Sequence, residues 1–271
     1  MGQIQDLSDL VNKLTGGASG NPEVVLYHKN GRQLGAAATA PVAGRGYTFW
    51  YQDGIPASGV LPNSTGIACD TSTGLDRYMI QASMSNITFG SYIVYDRLYH
   101  KGGFVGNVTS IQTVEDDPPS APITRNTSGV GNFMFYEINT LIGTTATNLI
   151  VNYINDLGTS SVSIARIGAT GGREVNSFSL IPLAPGDKGV RSIISIQLAA
   201  TTGTAGAISV GIGKPLAFLG SSVAGAPGHR DFVVGMPGIP KVDDGACVAV
   251  AYIAGTTTVP IVQGLFSFVN S

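Results

Sequence analysis

ITRNTSGVGNFMFYEINTLIGTTATNLIVNYINDLGTSS, residues 123 to 161, decides the fold class. Two runs in it, NFMFYEINTLI from Asn132 and NLIVNYIND from Asn148, alternate with a period of two and carry many aromatic and β-branched residues. Both features belong to strands. In the first run Phe133, Phe135, Glu137 and Asn139 point one way, and Asn132, Met134, Tyr136 and Ile138 the other. In the second, Leu149, Val151 and Tyr153 share one face, and Ile150 and Ile154 share the other with Asn152. Both faces of both strands are therefore apolar. A sheet wetted on one side needs one such face, so a second layer or another subunit must cover the other. Arg125, Glu137 and Asp156 are the charged residues of the stretch, and they form no catalytic pattern.

The same period runs outward in both directions. VVLYHK, YTFWYQ, RYMIQASM and SYIVYDRLYH precede the stretch, separated by turn signals at Asn30, Asp53 and Lys101. SVSIARIG, NSFSLIPLA, VRSIISIQLAAT, AISVGIG, CVAVAYIAG and IVQGLFSFVN follow it, separated by Gly-rich turns. Many short strands with no helix between them predict an all-β protein with an antiparallel β-sandwich or jelly-roll-like body. EDDPPSAP, residues 115 to 122, cannot sit in a sheet interior and marks a boundary. The expected organisation is an arm over 1–22, a β-rich region over 23–115 and an antiparallel sandwich or jelly roll over 125–271, the two β regions being able to form one continuous body. SSVAGAPGHRDFVVGMPGIPKVDDG, residues 221 to 245, reads as a long Gly/Pro-rich loop, a kind usually functional or interfacial.

The N-terminus breaks the pattern. In IQDLSDLVNKLTGG, Ile4, Leu7, Leu10, Val11 and Leu14 recur at helical spacing, with Asp6 and Asp9 early, Lys13 late and Gly16–Gly17 as a stop. A helix this short is marginal alone. It must lie on its own domain or on a neighbour, and GGASGNP behind it is a flexible spacer.

Composition narrows the function. Charged residues are 12% of the chain, against roughly 25% in ordinary globular proteins. A chain so poor in charge is expected to hide surface against other copies or another protein. A net charge of -2 gives no basic footprint for nucleic acid. No apolar run reaches the roughly 20 residues of a membrane span, and the first residues show no basic and apolar export signal. Cys69 and Cys247 lack metal-site spacing and, with no export signal, are expected to be free thiols.

Candidate chemistry is thin. His28, His100 and His229 form no metal-ligand spacing, and His100 in DRLYHKGG reads as an exposed or hydrogen-bonded turn residue. His229, Arg230 and Asp231 could be a catalytic fragment of a scattered hydrolase site or a local ion pair anchoring the loop. GSSVAG at Gly220 fails the nucleophile-elbow pattern because Ala224 replaces its second Gly. SGVGNF and GATGGRE lack the residues that bind phosphates. EDD at Glu115 and DDG at Asp243 lack the alternation that wraps Ca²⁺. Tyr47, Phe49, Trp50 and Tyr51 could make a sugar platform or a half-buried strand. No catalytic residue, cofactor or metal ligand is assigned.

The order LTGG, GNPEVVLYHKNGRQLGAAATAPVAGRGYTFWYQDGIP, SYIVYDRLYHKGG, GNFMFYEINTLIGTTATNLIVNYINDLGTSS, GDKGVRSIISIQLAATTGTAGAISVGIGKPLAFL and HRDFVVGMPGIPKVDDGACVAVAYIA resembles proteins encoded in the structural modules of tailed bacteriophages, near the major capsid gene. The resemblance covers nearly the whole chain and is one of phrase and order. It implies a non-enzymatic virion protein, made in the host cytoplasm, that decorates or cements the capsid surface. The implied partners are the major capsid protein and further copies of itself, as a homo-oligomer and in particular a trimer. Nucleic acid and membrane are not among them. On this view Ile4, Leu7, Leu10, Val11 and Leu14 are the contact residues. The rival reading is a tail or fibre module that binds host-surface glycan through the Trp50 cluster.

Overall fold

The computed structural model describes residues 6–17, 20–30, 41–49, 56–67, 75–115, 122–168, 173–233 and 238–270. The first half holds one helix, α1 (Leu7–Leu14), and strands β1 (Glu23–Asn30), β2 (Gly46–Phe49), β3 (Gly59–Val60), β4 (Arg77–Asn86), β5 (Gly90–Phe104) and β6 (Gln112–Thr113). The second half adds β7 (Phe133–Thr140), β8 (Thr147–Asn155), β9 (Ser160–Ile167), β10 (Ser177–Ile181) and β11 (Val190–Leu198). It ends with β12 (Ala207–Ser221), β13 (Gly228–Asp231), β14 (Lys241–Val242), β15 (Val248–Ala254) and β16 (Ile261–Asn270). Strand accounts for 53% and helix for 5%, so the all-β, antiparallel expectation holds. Every described pairing is antiparallel.

Three sheets form among the described residues. The middle one runs β12-β7-β10-β2-β15-β5-β3, and β12 also pairs with β5. That extra pairing closes every strand but β3 into a ring, a flattened antiparallel barrel with a filled interior. Along β15 the period of two is complete. Val248, Val250, Tyr252 and Ala254 face outward into one core, while Cys247, Ala249, Ala251 and Ile253 face the barrel interior. Phe133 and Phe135 from β7, Tyr95 from β5 and Phe178 from β10 fill that interior. The Phe135 and Phe178 rings stack at 4.9 Å.

Rings of this size fit because the facing wall is bare. A Cβ on Gly211 would collide with the Phe135 ring, and one on Gly213 would stand 2.6 Å from Phe133 Cζ. Small residues opposite large ones are how narrow barrels fill their interiors. Gly211→Ala is expected to cost about 1–3 kcal/mol of stability through overpacking. Gly220→Ala, whose Cβ would meet nothing nearer than Ser91 Oγ at 3.8 Å, should be close to neutral. Urea denaturation of the two variants checks the difference.

Two sheets flank the barrel. β1-β16-β4-β13, with β14 also on β4, covers one side; Tyr27, Met79, Phe266 and Phe268 pack there against Tyr92, Val94 and Val250. β6-β11-β8-β9 covers the other; Leu149, Val151, Tyr153 and Ile196 pack against Met134, Tyr136, Ile138 and Val210. β7 and β15, which centre these two contacts, lie three strands apart round the ring, so the covering sheets are on opposite sides.

β5 and β12 serve both cores because each contains a bulge. Tyr99 pairs with Ile212 and Arg97 with Gly213, which leaves Leu98 as the extra residue on β5. Pro215 pairs with Tyr95 and Ala217 with Val94, which leaves Leu216 as the extra residue on β12. Each extra residue reverses the alternation beyond it. β12 accordingly buries Ile208, Val210 and Ile212 in one core and Leu216 and Leu219 in the other.

The expected loop over 221–245 is a correction. Its described part contains β13 and β14, and both pair with β4.

Candidate interaction surfaces

Most polar groups that sequence reading could nominate for chemistry are engaged inside the body. His100 is the sharpest departure. The sequence placed it in a turn, but it is fully buried because β5 runs on through Lys101, Gly102 and Gly103 to Phe104. Arg97 and Glu137 lie beside it, also buried. The Arg97 guanidinium forks onto Glu137, with Nη1 donating to Oε1 at 2.9 Å and Nη2 to Oε2. It also lies 4.9 Å over the Phe135 ring. Arg97 Nη2 is 2.8 Å from His100 Nδ1. A guanidinium only donates, so Nδ1 accepts and the imidazole is neutral with its proton on Nε2. Burial first, and the Arg97 charge second, push the His100 pKa down to about 2.

A second fork closes the barrel rim. Arg125 Nε donates to Asp96 Oδ2 at 2.8 Å and Nη2 to Oδ1 at 2.9 Å. The Cys247 backbone N–H donates to the same Oδ1 at 2.8 Å. Cys247 is a buried free thiol, and burial pushes it up to about 11, the character of an inert core cysteine. Cys69 lies outside the described residues.

The other candidates also have structural duties. Ser221 Oγ donates to Val223 O and Ala226 O, each at 2.7 Å. Glu115 accepts from the Tyr99 hydroxyl, and Asp243 from Lys214 Nζ at 2.8 Å. His229, Arg230 and Asp231 lie on β13, which pairs with β4. Arg230 Nε donates to Phe218 O at 3.3 Å, and the Asp231 carboxylate accepts from Val233 N–H at 2.8 Å. Tyr47 and Phe49 are core residues, while Trp50 and Tyr51 lie outside the described residues. Among the described residues no group of three or more His, Cys, Asp and Glu could hold a metal ion. No described helix is long and apolar enough to cross a membrane.

Among the described residues the body leaves many large apolar side chains exposed, and two groups of them fall on elements the sequence singled out. The first is α1 with β1. Asp6 caps the helix by accepting from Asp9 N–H at 2.8 Å, and Lys13 lies in the last turn, so both ends suit the helix dipole. Leu10 is buried and Leu14 half-buried against the body, but Leu7 is 71% and Val11 51% exposed. Ile4 lies outside the described residues. The helix stays on its own body: Asn270 N–H donates to Gly20 O at 2.6 Å, and Gly20 packs so closely on the Lys13 backbone that a Cβ there would collide. β1, the next element along the chain, forms a sheet edge, and its Leu26 is 77% exposed. The charged residues exposed or half-exposed on α1 are Asp6 and Asp9.

The second surface is the outer face of β9, β8 and β11. The alternation found at Asn148 has its inner half, Leu149, Val151 and Tyr153, against the barrel. Its outer half is only partly covered. Ile150 and Ile154 are half-buried, and their neighbours on edge strand β9, Val162 and Ile164, are 53% and 56% exposed. Ile150 pairs with Ile164, and Asn152 with Val162, so the aliphatic groups are contiguous. The charged groups here are Arg166 at one end and Arg191 at the other. Nearby acids turn inward: Asp156 accepts from Lys188 N–H at 3.0 Å, and Asp187 from Tyr153 Oη and Asn155 Nδ2 at 2.6 and 2.8 Å.

No family model and no curated protein matches the sequence. Among solved structures the chain is similar to one in infectious bursal disease virus, Gt strain, at 12% identity over 92% of this chain and 80% of that one, with a TM-score of 0.18. It is also similar to the VP2 subviral particle of the same virus, at 11% identity over 93% and 81%, with a TM-score of 0.19. These likenesses are to chains of virus particles, at scores too low to establish a shared fold.

Proposed function

We propose that the protein is a non-enzymatic structural component of a virion, bound in many copies to the capsid surface of a tailed phage, where it stabilises the head. The observation that carries this reading is the pair of uncovered aliphatic surfaces on a body with few charges. Isolated soluble proteins rarely leave such patches open, and contiguous ones mark contacts. The resemblance in phrase and order to phage structural modules supports the virion setting. The internal use of Arg97, Glu137, His100, Asp96 and Arg125 supports a structural rather than a chemical role. The glycan-binding alternative loses Tyr47 and Phe49, which the core consumes.

In this reading Leu7 and Val11 are contact residues, and Leu10 belongs to the body. Fully burying a Leu or Val is worth roughly 1.5–3 kcal/mol. The double variant Leu7→Asp/Val11→Asp is therefore expected to fold normally and to bind undecorated heads about a hundredfold more weakly, since 1.4 kcal/mol is tenfold. Leu10→Asp should instead lower the melting temperature. Sedimentation of labelled protein with purified heads, beside a thermal melt of each variant, separates the two. Attachment unchanged in the double variant would exclude α1 as a contact.

A further inference from the structure

β9 ends its sheet with one side of its backbone open. In the hairpin between β8 and β9, Asn155 N–H donates to Thr159 O at 2.9 Å. Bonded pairs alternate along an antiparallel ladder. Ser161, Ser163 and Ala165 therefore bond to β8, opposite Tyr153, Val151 and Leu149. Ser160, Val162, Ile164 and Arg166 turn their N–H and C=O groups away from it. Arg166 O accepts from Tyr136 Oη at 2.7 Å. Among the described residues no strand pairs with this side of β9. Open edges are normally blunted by lysine, proline, a bulge or a very short strand. β9 has 8 residues, SSVSIARI, with neither Lys nor Pro, and its register on β8 is unbroken. Val162 and Ile164, in the same row, are 53% and 56% exposed.

We infer that β9 pairs edge to edge, antiparallel, with β9 of a second copy, joining the two sheets across a two-fold axis. The row itself selects the register. With the axis at Ser163, Val162 of each copy faces Ile164 of the other, and Ser160 faces Arg166. An axis at Val162 would set Ile164 against Ser160, and one at Ile164 would set Val162 against Arg166. Only the Ser163 register matches aliphatic with aliphatic at both positions, the kind of cross-strand pair that stabilises a sheet. It also holds the two Arg166 residues six positions apart, about 20 Å, beyond the screening length of about 8–10 Å. Ile150 beside Ile164 and Asn152 beside Val162 continue the outer face on both sides of the seam. The ladder supplies about six main-chain hydrogen bonds, within the roughly 10 ± 5 of a typical interface. Such a contact uses the same patch on both copies and closes on itself, so it makes a dimer, where the phage resemblance implies a trimer. It leaves Leu7 and Val11 to the capsid and so goes beyond the proposed function without depending on it.

Two measurements on the full chain test this. The Val162 N–H points away from β8, so Val162→Pro removes a bond of the dimer and none of the β8 ladder. The two-fold axis doubles the loss. At roughly fivefold per net hydrogen bond, dimerisation should weaken about thirtyfold by analytical ultracentrifugation. Ile164→Lys keeps every N–H, sets a charge at the seam and should act in the same direction. If the proline variant changes the far-ultraviolet spectrum, the lysine variant decides. The second measurement reads the register, with Cys69→Ser as background. Val162→Cys and Ile164→Cys chains, mixed and oxidised, should form a disulfide-linked heterodimer. Neither should crosslink alone, because like positions lie about 7–8 Å apart on the diagonal, beyond disulfide reach. A wild-type monomer at tens of micromolar, roughly the range of weak specific contacts, overturns the inference. So does a wild-type trimer, a lysine variant that dimerises like wild type, or a mixture that crosslinks no better than the single variants. Binding to heads is scored separately. A monomer that still binds heads ends this inference and leaves the proposed function standing. A dimer with the expected crosslink that does not bind heads does the reverse.

Discussion

Replacing Glu137 with alanine is expected to lower the unfolding free energy by about 3–5 kcal/mol, because it strands a charge inside the barrel. Against a typical total of about 5–15 kcal/mol, that is a large fraction of the whole. Arg97 and Glu137 are both buried and bound fork to fork. Burial alone would lower the guanidinium, but Glu137 more than offsets this, and the Arg97 pKa stays raised. Take the carboxylate away and the guanidinium keeps His100 Nδ1 at 2.8 Å, Tyr95 Oη at 3.4 Å and the Phe135 ring at 4.9 Å, none of which carries a counter-charge. The double variant Arg97→Met/Glu137→Leu removes both charges and should lose far less than the sum of the single variants. Urea denaturation of the four proteins measures the coupling directly. A Glu137→Ala loss below about 1 kcal/mol, the size of an exposed pair, would show that water reaches the fork.

Acid should weaken the protein well above the carboxylate range, and His100 should be the cause. Its folded pKa, about 2, lies below the ordinary value of 6.5. Above pH 6.5 neither folded nor unfolded chain protonates it, and stability is complete. As pH falls below 6.5 the unfolded chain takes up a proton that the folded one refuses. Stability then drops by about 1.4 kcal/mol per pH unit, or near 2 kcal/mol by pH 5. Asp96 acts with the opposite sign: burial raises its carboxyl in spite of the Arg125 hydrogen bonds, so its contribution sets in closer to the carboxylate range. The slope is therefore cleanest between pH 6.5 and 5. His100→Asn keeps an acceptor near Arg97 and cannot titrate. Its stability should be lower than wild type at pH 7 and nearly flat down to pH 5. Parallel slopes for the two proteins would place the acid sensitivity elsewhere.

The strands were legible because their alternation survives almost everywhere. β7 was read with both faces apolar, and both are in fact covered, one by the barrel interior and one by the β11 and β8 layer. Glu137 lies in line with Phe133 and Phe135, inside the barrel, where its partner is Arg97. What local sequence did not carry was which strand that partner lies on, since Arg97 reaches Glu137 only through the β5–β12–β7 pairings. The same long-range pairing hid the closure of the barrel. It also overrode two local stop signals. Gly102–Gly103 after His100 looks like a turn, with Gly103 at φ +91°, yet β5 continues because β12 lies beside it. Lys214–Pro215 looks like a break, yet the bulge at Leu216 accommodates the proline.

The surfaces were half legible. The stripe Leu7, Leu10, Val11 and Leu14 was visible as a stripe, and so was the outer row Ile150 and Ile154. Whether the body or a neighbour covers each residue depends on tertiary placement. Leu10 turned inward while Leu7 and Val11 did not. No periodicity distinguishes these cases, because a helix face and a contact face have the same spacing.

The central claim is location on a capsid. Electron microscopy of virions labelled with an antibody to this chain tests it most directly. The account predicts label distributed over the head, in many copies, and lost when the chain is removed from the particle. Label confined to the tail or its fibres, or no label on the virion at all, would contradict it.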